Sequence, residues 1–284
     1  MSKDSIWEGL SRPQRLGLSE NLMSSEGRQD GETSNNRFLR KFNFLLATNE
    51  RDRARVFSLR HRVFCEELGF FSLDLADRLE QDTFDANSLH CLVEHRDTGL
   101  AIGCLRVVMA LDSMGRASIL PVEKHCRDLG VAIDLEVGEI NRKSLCEISR
   151  VAIPRFFRSG GKDESLATEL EKWVFSQHER QDFLMTGVAL NLCATALSGI
   201  SERYHVLAMI EPRFQRLLAR VGLRFEQVSP TVELLGLRAA FYINQQRAEG
   251  ELRQTVRPLY EALRDDLKAQ YILEGGGAQI GAFR

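Results

Sequence analysis

At 284 residues, with 43% hydrophobic and 27% charged side chains, the chain is long enough to bury one large core. A formal charge of −2 argues against a partner held by bulk charge, so no nucleic-acid partner is expected. The longest apolar-looking run, 184–197, is too short and interrupted to span a bilayer, and no integral membrane segment is expected. The cysteines (Cys65, Cys91, Cys104, Cys126, Cys146, Cys193) form no C-x-x-C pair, and no signal-peptide pattern opens the chain. A reduced, cytoplasmic setting is the expectation.

Residues 1–36 are polar and aperiodic, which predicts a disordered N-terminal tail. An apolar strand over 42–47 follows. Thr48 and Asn49 then start a helix over 50–68 with Val56, Leu59, Val63 and Phe64 as its stripe. Arg60 falls on that stripe, whereas Arg53, Arg55 and Arg62 lie off it. Two strands, 89–94 and 101–110, flank the turn from His95 to Gly99 and read as a hairpin. The loop-rich stretch 111–145 holds a short helix near 122–129. A strand over 147–153 is stopped by Pro154.

Further on, a helix is expected from about Lys162, with Leu166, Leu170, Trp173, Val174 and Gln177 on one side, and a second from Leu190 to Ile200. Residues 204–210 read as a strand. Glu211–Pro212 opens a helix that Gly222 closes, and strands at 223–228 and 231–237 finish the sheet. This gives a domain over 37–243. The extension 244–284 carries one amphipathic helix (Val256, Leu259, Tyr260, Leu263, Leu267) and a frayed end at Gly275, Gly276 and Gly277. The order predicts an α/β fold with a mixed, mostly antiparallel sheet flanked by helices. Neither G-x-G-x-x-G nor G-x-x-x-x-G-K-[ST] occurs, which removes the usual support for a nucleotide fold.

Charges planted in apolar runs are the feature that points to function. Asp82 and Asp85 by themselves read as solvated loop acids, whereas Arg106 interrupts Ile102 to Met109, a run that should be covered on at least one face; its bland reading is an edge-strand arginine pointing to water. Taken together, Arg60, Arg106 and Arg150 balance Asp82, Asp85 and Glu147, and buried charges must find partners. The result is either a structural network or a site in which one carboxylate deprotonates an amine. Strict alternation puts Glu147 and Ser149 on one face of their strand and Arg150 on the other, so a single network requires a bulge there. None of the histidines shows H-x-x-x-H spacing or pairs with Cys or acid in a metal pattern, so no metal is expected. Arg142–Lys143 and the group Arg150, Arg155, Arg158 and Lys162 read as a solvated face, or, in the stretch Arg158–Ser159–Gly160–Gly161–Lys162, as a cradle for a phosphate. Asp163 and Glu164 beside that cradle would repel a pyrophosphate.

Arg60-x-x-x-Phe64, Leu68–Gly69–Phe70, Asp82-x-x-Asp85, Gly103–Cys104–Leu105–Arg106 and Glu147–Ile148–Ser149–Arg150 together resemble the acyl-homoserine-lactone (autoinducer) synthases and the N-acyl amino acid synthases. Leu120–Pro121–Val122–Glu123-x-x-Cys126, Arg155–Phe156–Phe157–Arg158 and Gly236-x-Arg238–Ala239-x-x-Tyr242 bring the chain nearest to the PEP-CTERM/exosortase system-associated acyltransferases. The resemblance implies a GNAT-like domain with a splayed central strand pair that moves a fatty acyl group to the amine of an amino acid or similar acceptor. It implies Glu147 as general base with Ser149 and Arg150 beside it, and Arg60, Phe64, Phe70, Asp82, Asp85 and Arg106 ordering the acceptor lobe. Arg142, Lys143, Arg155, Arg158 and Lys162 would then face a phosphopantetheine donor. That donor is acyl carrier protein before acyl-CoA, and no permanently bound cofactor is implied. Lactone synthases commonly carry Trp where Phe70 stands, which favours an amino-acid acceptor over S-adenosylmethionine.

Overall fold

Strands that are apolar on both faces, together with one helix that is apolar all round, set the layers. The computed structural model describes residues 34–71, 77–135, 140–160 and 175–275. Helix α1 (Ser34–Lys41) leads into β1 (Phe42–Leu46), and α2 (Glu50–Arg60) continues into a π-helical turn, His61–Glu67. Next come β2 (Ser88–His95), β3 (Ala101–Met109), α3 (Pro121–Asp128), β4 (Leu145–Ala152) and α4 (Arg155–Arg158). Helices α5 (Gln177–Phe183) and α6 (Thr186–Ile200), strand β5 (His205–Ile210) and α7 (Pro212–Ala219) follow. The two-residue strands β6 (Glu226–Gln227) and β7 (Val232–Glu233), then β8 (Leu237–Asn244), α8 (Gln245–Glu251) and α9 (Arg257–Leu273), complete the order.

The sheet runs β1-β2-β3-β4-β5-β8-β6, with β7 also on β8. Every pair is antiparallel except β4 with β5. That parallel register covers Leu145 to Ile148 against His205 to Ala208 and then stops, although β4 runs on to Ala152 and β5 to Ile210. The two central strands therefore part beyond Ile148.

One face of the sheet carries Cys91, Val93, Leu105, Val107, Cys146 and Ile148 and packs under α6 and α9. The other carries Leu92, Cys104 and Val108 and packs under α2 and α3. By alternation Arg106, Glu147 and Ser149 lie on this second face, since Arg106 pairs with Ser149 and Val108 with Glu147.

Several expectations change. Ser34 to Asn36 belong to α1 rather than to a disordered tail, and residues 1–33 lie outside the described residues. Helix α6 begins at Thr186, four residues before Leu190. It is buried along most of its length, so a hydrophobic period could not mark its start. The strands expected at 223–228 and 231–237 reduce to β6 and β7, and the long closing strand is β8. The boundary after residue 243 does not separate two packing units, because α9 buries Leu259, Tyr260, Leu263 and Leu267 in the main core. The helix expected from Lys162 lies outside the described residues up to 174, with Gln177 opening α5, and Gly276 and Gly277 lie outside them too. Helix α7 is capped at Arg220, so Gly222 lies one residue beyond the expected C′ position; it takes φ +104°, and a Cβ there would stand 2.3 Å from the Glu251 carbonyl oxygen. Among the described residues no single helix is long and apolar enough to cross a membrane.

Candidate active site

Helix α2 starts where the Asn49 side chain accepts the Asp52 N–H at 2.9 Å. Its last residue, Arg60, is fully buried. Arg60 Nε donates to Glu80 at 2.5 Å, and its two terminal nitrogens reach both oxygens of Asp85 at 2.7 and 3.1 Å. The fork geometry of guanidinium suits such bidentate pairing. Arg106, also fully buried, donates from Nη1 to Asp82 (2.6 Å) and Asp85 (2.7 Å) and from Nε to the Ser149 hydroxyl (3.0 Å). The edge-strand reading of Arg106 is thereby excluded. Asp85 is closed off from solvent, and Asp82 keeps 26% of its side chain exposed.

The parity conflict is resolved by a bulge. Arg106 pairs with Ser149 and Cys104 with Ala152, so two residues of β4, Arg150 and Val151, oppose Leu105 alone. Arg150 takes φ +50°, a left-handed conformation that costs a non-glycine residue on the order of 1–2 kcal/mol. Its side chain thereby returns to the α2 face. There it reaches Asp82 at 3.0 Å and Glu80 at 3.1 Å, and lies over the rings of Phe64 (5.7 Å) and Phe71 (4.9 Å). The π-helical turn interrupts the stripe and leaves Phe64 half-buried against Arg150. Phe71 takes part in this sandwich, while Phe70 is half-buried and donates its backbone N–H to Phe64.

Two corrections concern the acids. Glu147 accepts no hydrogen bond from an arginine among the described residues, so it is not the third member of the charge balance. Glu80, 5% exposed, is. The signal for Glu80 was available: three arginines, two of them fully buried, need three carboxylates, and Glu80 stands two residues before Asp82. Glu147 instead accepts the Val122 N–H at the start of α3, at 2.6 Å. Burial pushes its carboxyl up to about 8, although the Val122 N–H, Arg106 and Arg150 all favour the ionised form. Asp85 shows the opposite balance. Burial alone would raise it, but Arg60 and then Arg106 hold it well below the usual carboxylate range. His90, packed edge-on against Phe57, is driven down to about 3 by burial and is neutral beside this lattice. Burial drives the Cys104 and Cys146 thiols up to about 12, so neither supplies a thiolate.

The basic residues expected at the donor side are placed differently from one another. Arg142 is bound to Glu123 at 2.5 and 2.8 Å and to the Ser118 carbonyl, stapling the start of α3. Arg158 pairs with Glu67 at 3.1 Å, and the same carboxylate accepts the Arg155 backbone N–H at 2.9 Å. Lys143 and Arg155 are exposed, and Lys162 lies outside the described residues.

Residues 59–167 match the family model for the acetyltransferase (GNAT) domain. Over that segment the fold is that of a GNAT domain. That matched segment contains Arg60, Glu80, Asp82, Asp85, Arg106, Glu147, Ser149 and Arg150. Among solved structures, the GNAT domain and its flanking elements are similar to BjaI, a CoA-dependent acyl-homoserine lactone synthase solved with SAM and isopentyl-CoA. The TM-score is 0.50 at 16% identity, over 78% of this chain and 89% of that one. The acyl-homoserine-lactone synthase LasI aligns with a TM-score of 0.49 at 18% identity, over 75% of this chain and 96% of that one. FeeM, an N-acyl amino acid synthase from uncultured soil microbes, aligns with a TM-score of 0.43 at 15% identity, over 75% and 95%. At 16% identity the likeness to BjaI is one of fold. No curated protein matches the chain.

Proposed function

We propose that this GNAT domain is an N-acyltransferase that moves a fatty acyl group from a phosphopantetheine thioester to the amine of an amino acid or similar small acceptor. Acyl carrier protein is the preferred donor and acyl-CoA the second. The observation that carries the reading is the position of Glu147: buried, raised to about 8, and one residue before the point where β4 and β5 part. An amine with an unperturbed value of about 8 exchanges a proton with such a carboxylate at little cost. A linear thioester entering between the parted strands would meet β4 on its β5 side, while the acceptor lies on the α2 face beneath Arg150 and Asp82. The amine nitrogen attacks the thioester carbon, the C–S bond breaks, and the thiolate leaves and takes up a proton. Backbone N–H groups of β4 beyond Ile148 polarise the carbonyl. No covalent enzyme intermediate is needed, which agrees with protonated, buried cysteines.

In this reading Arg60, Glu80, Asp82, Asp85, Arg106 and Arg150 hold the acceptor lobe. Phe64 and Phe70 help to form it, and Ser149 orients Arg106. Of the basic residues assigned to the donor side, Lys143 is exposed toward an acidic carrier protein, whereas Arg142 and Arg158 serve internal carboxylates. The motif resemblance supports assigning the activity to PEP-CTERM/exosortase systems in a bacterial cytoplasm.

Incubating the purified chain with long-chain acyl carrier protein, acyl-CoA and a panel of amines, followed by mass spectrometry, tests the proposal. An N-acylated amine is the expected product. No product and no thiol release from any donor would overturn the enzyme reading. Release of methylthioadenosine with added S-adenosylmethionine would replace the amino-acid acceptor by that substrate and make the protein a lactone synthase. If the protein is instead a non-catalytic acyl-binding accessory, Glu147→Gln would leave its biological role untouched.

A further inference from the structure

At the far end of β2 from the charge lattice, three potential ligands converge from separate segments. His95 ends β2, Asp97 sits in the β2–β3 turn, and Glu179 comes from the first turn of α5. One ligand atom from each lies within 4.8 Å of the other two. His95 is 1% exposed and walled by the rings of Phe42, Phe175 and Phe183 at 5.4, 5.5 and 6.2 Å. Its Nδ1 is held by the Thr98 hydroxyl at 2.9 Å, whereas its buried Nε2 makes no hydrogen bond. Burial lowers the proton affinity of the imidazole.

Nε2 faces Glu179 Oε1 at 3.3 Å without hydrogen-bond alignment. Two ligands on a tetrahedral zinc ion, each about 2.0–2.1 Å from the metal, stand about 3.3 Å apart. The other Glu179 oxygen is fixed by the Ser176 N–H (2.8 Å) and hydroxyl (2.7 Å), which turns Oε1 toward the histidine. Each of these two ligands thus has an outer partner that sets its orientation, as metal ligands usually do. A positive charge is also drawn to the same spot. The Lys41 ammonium lies 2.6 Å from Asp97 and 3.5 Å from Glu179, and its hydrogen bond to Asp97 raises its affinity for the proton.

We infer that His95, Asp97 and Glu179 form a binding site for a divalent transition cation of the zinc type, with the Lys41 ammonium as its built-in competitor. The ion would tie the end of β2, the β2–β3 turn and α5 together. Its role is in stability rather than in acyl transfer, because it lies a strand's length from Glu147. The imidazole and carboxylate set suits zinc, with water completing the shell.

The full chain, stripped of metal by chelator, is titrated with zinc by calorimetry, and its Tm is followed against zinc concentration. Binding of one equivalent with a rising Tm is expected. Lys41→Met should tighten binding at least about tenfold, and Asp97→Asn or Glu179→Gln should weaken it at least about tenfold. The six buried cysteines are a rival source of ligands, and cobalt spectra separate the two. A spectrum without a thiolate charge-transfer band supports the site, and one with that band overturns it. Equally contrary are no binding by either wild type or Lys41→Met, and binding unchanged in both carboxylate variants. Circular dichroism of the exposed-side variant Asp97→Asn guards against reading misfolding as lost affinity.

Discussion

Glu147 and Glu80 sit a few residues from the same arginines and have opposite electrostatic fates. Glu80 is paired twice over, so removing it leaves the Arg60 charge, with no exposed surface, short of a partner. Glu80→Ala should therefore cost about 3–5 kcal/mol in urea unfolding. A loss below about 1 kcal/mol would show that the lattice does not hold the lobe. Glu147 has no such pairing, and its folded-state value of about 8 lies above the ordinary 4.5. A raised acid binds more protons when folded, so the native state loses stability as pH climbs from the lower value to the higher. Glu147→Gln should remove that loss. It should gain on the order of 3 kcal/mol over wild type at pH 7 and little at pH 5, while losing turnover by about a hundredfold or more. Denaturant titrations at the two pH values check the first half.

Element geometry explains why part of the site was legible in the sequence. Arg60 stood out because it broke a helical stripe, and the motif order marked Asp82, Asp85 and Arg106. Arg150 was legible only as a contradiction, since alternation sent it to the wrong face and the bulge that returns it depends on pairing with β3. Phe71 was hidden because the π-helical turn shifts the facing of the residues before it. Strand β8 was overlooked for a different reason. Turn residues around Gly236 suggested an ending, whereas a hairpin leads into the long strand that closes on β5. Helix α9 was recognised as amphipathic, but its target was not. Besides burying its apolar face, it supplies Gln270, whose amide donates to the Phe44 carbonyl at 2.7 Å and accepts from the Leu46 N–H at 2.8 Å. Those are backbone groups that another strand would use on the edge of β1. Gln270→Ala should lower stability by about 1–2 kcal/mol and raise concentration-dependent association, readable by light scattering. A fully monomeric, equally stable variant would remove this role.

Across the whole molecule the two kinds of acid pull the pH dependence apart. Asp85 is depressed when folded, so its contribution is complete above the ordinary carboxylate range and is lost as pH falls below about 4. Glu147 works in the other direction between about 4.5 and 8. Stability should therefore peak near pH 5, while any activity that needs ionised Glu147 should still be rising at pH 8. A melting series and a rate series across this range would show the two optima apart, and coincident optima would contradict the assignment. The fold class followed from element order, because strands and helices alternate with recognisable stops. The layer assignment of the last helices did not, since sequence position says nothing about which core an amphipathic face joins.

The central claim is that Glu147 takes the proton from the attacking amine. The most direct test is the rate of amine-dependent thiol release from the acyl donor as a function of pH, for wild type and Glu147→Gln. The account predicts a rate that rises through a single deprotonation near pH 8 in the wild type and is reduced about a hundredfold or more in the variant. A wild-type rate that is flat with pH, or a glutamine variant as active as the wild type, would contradict it.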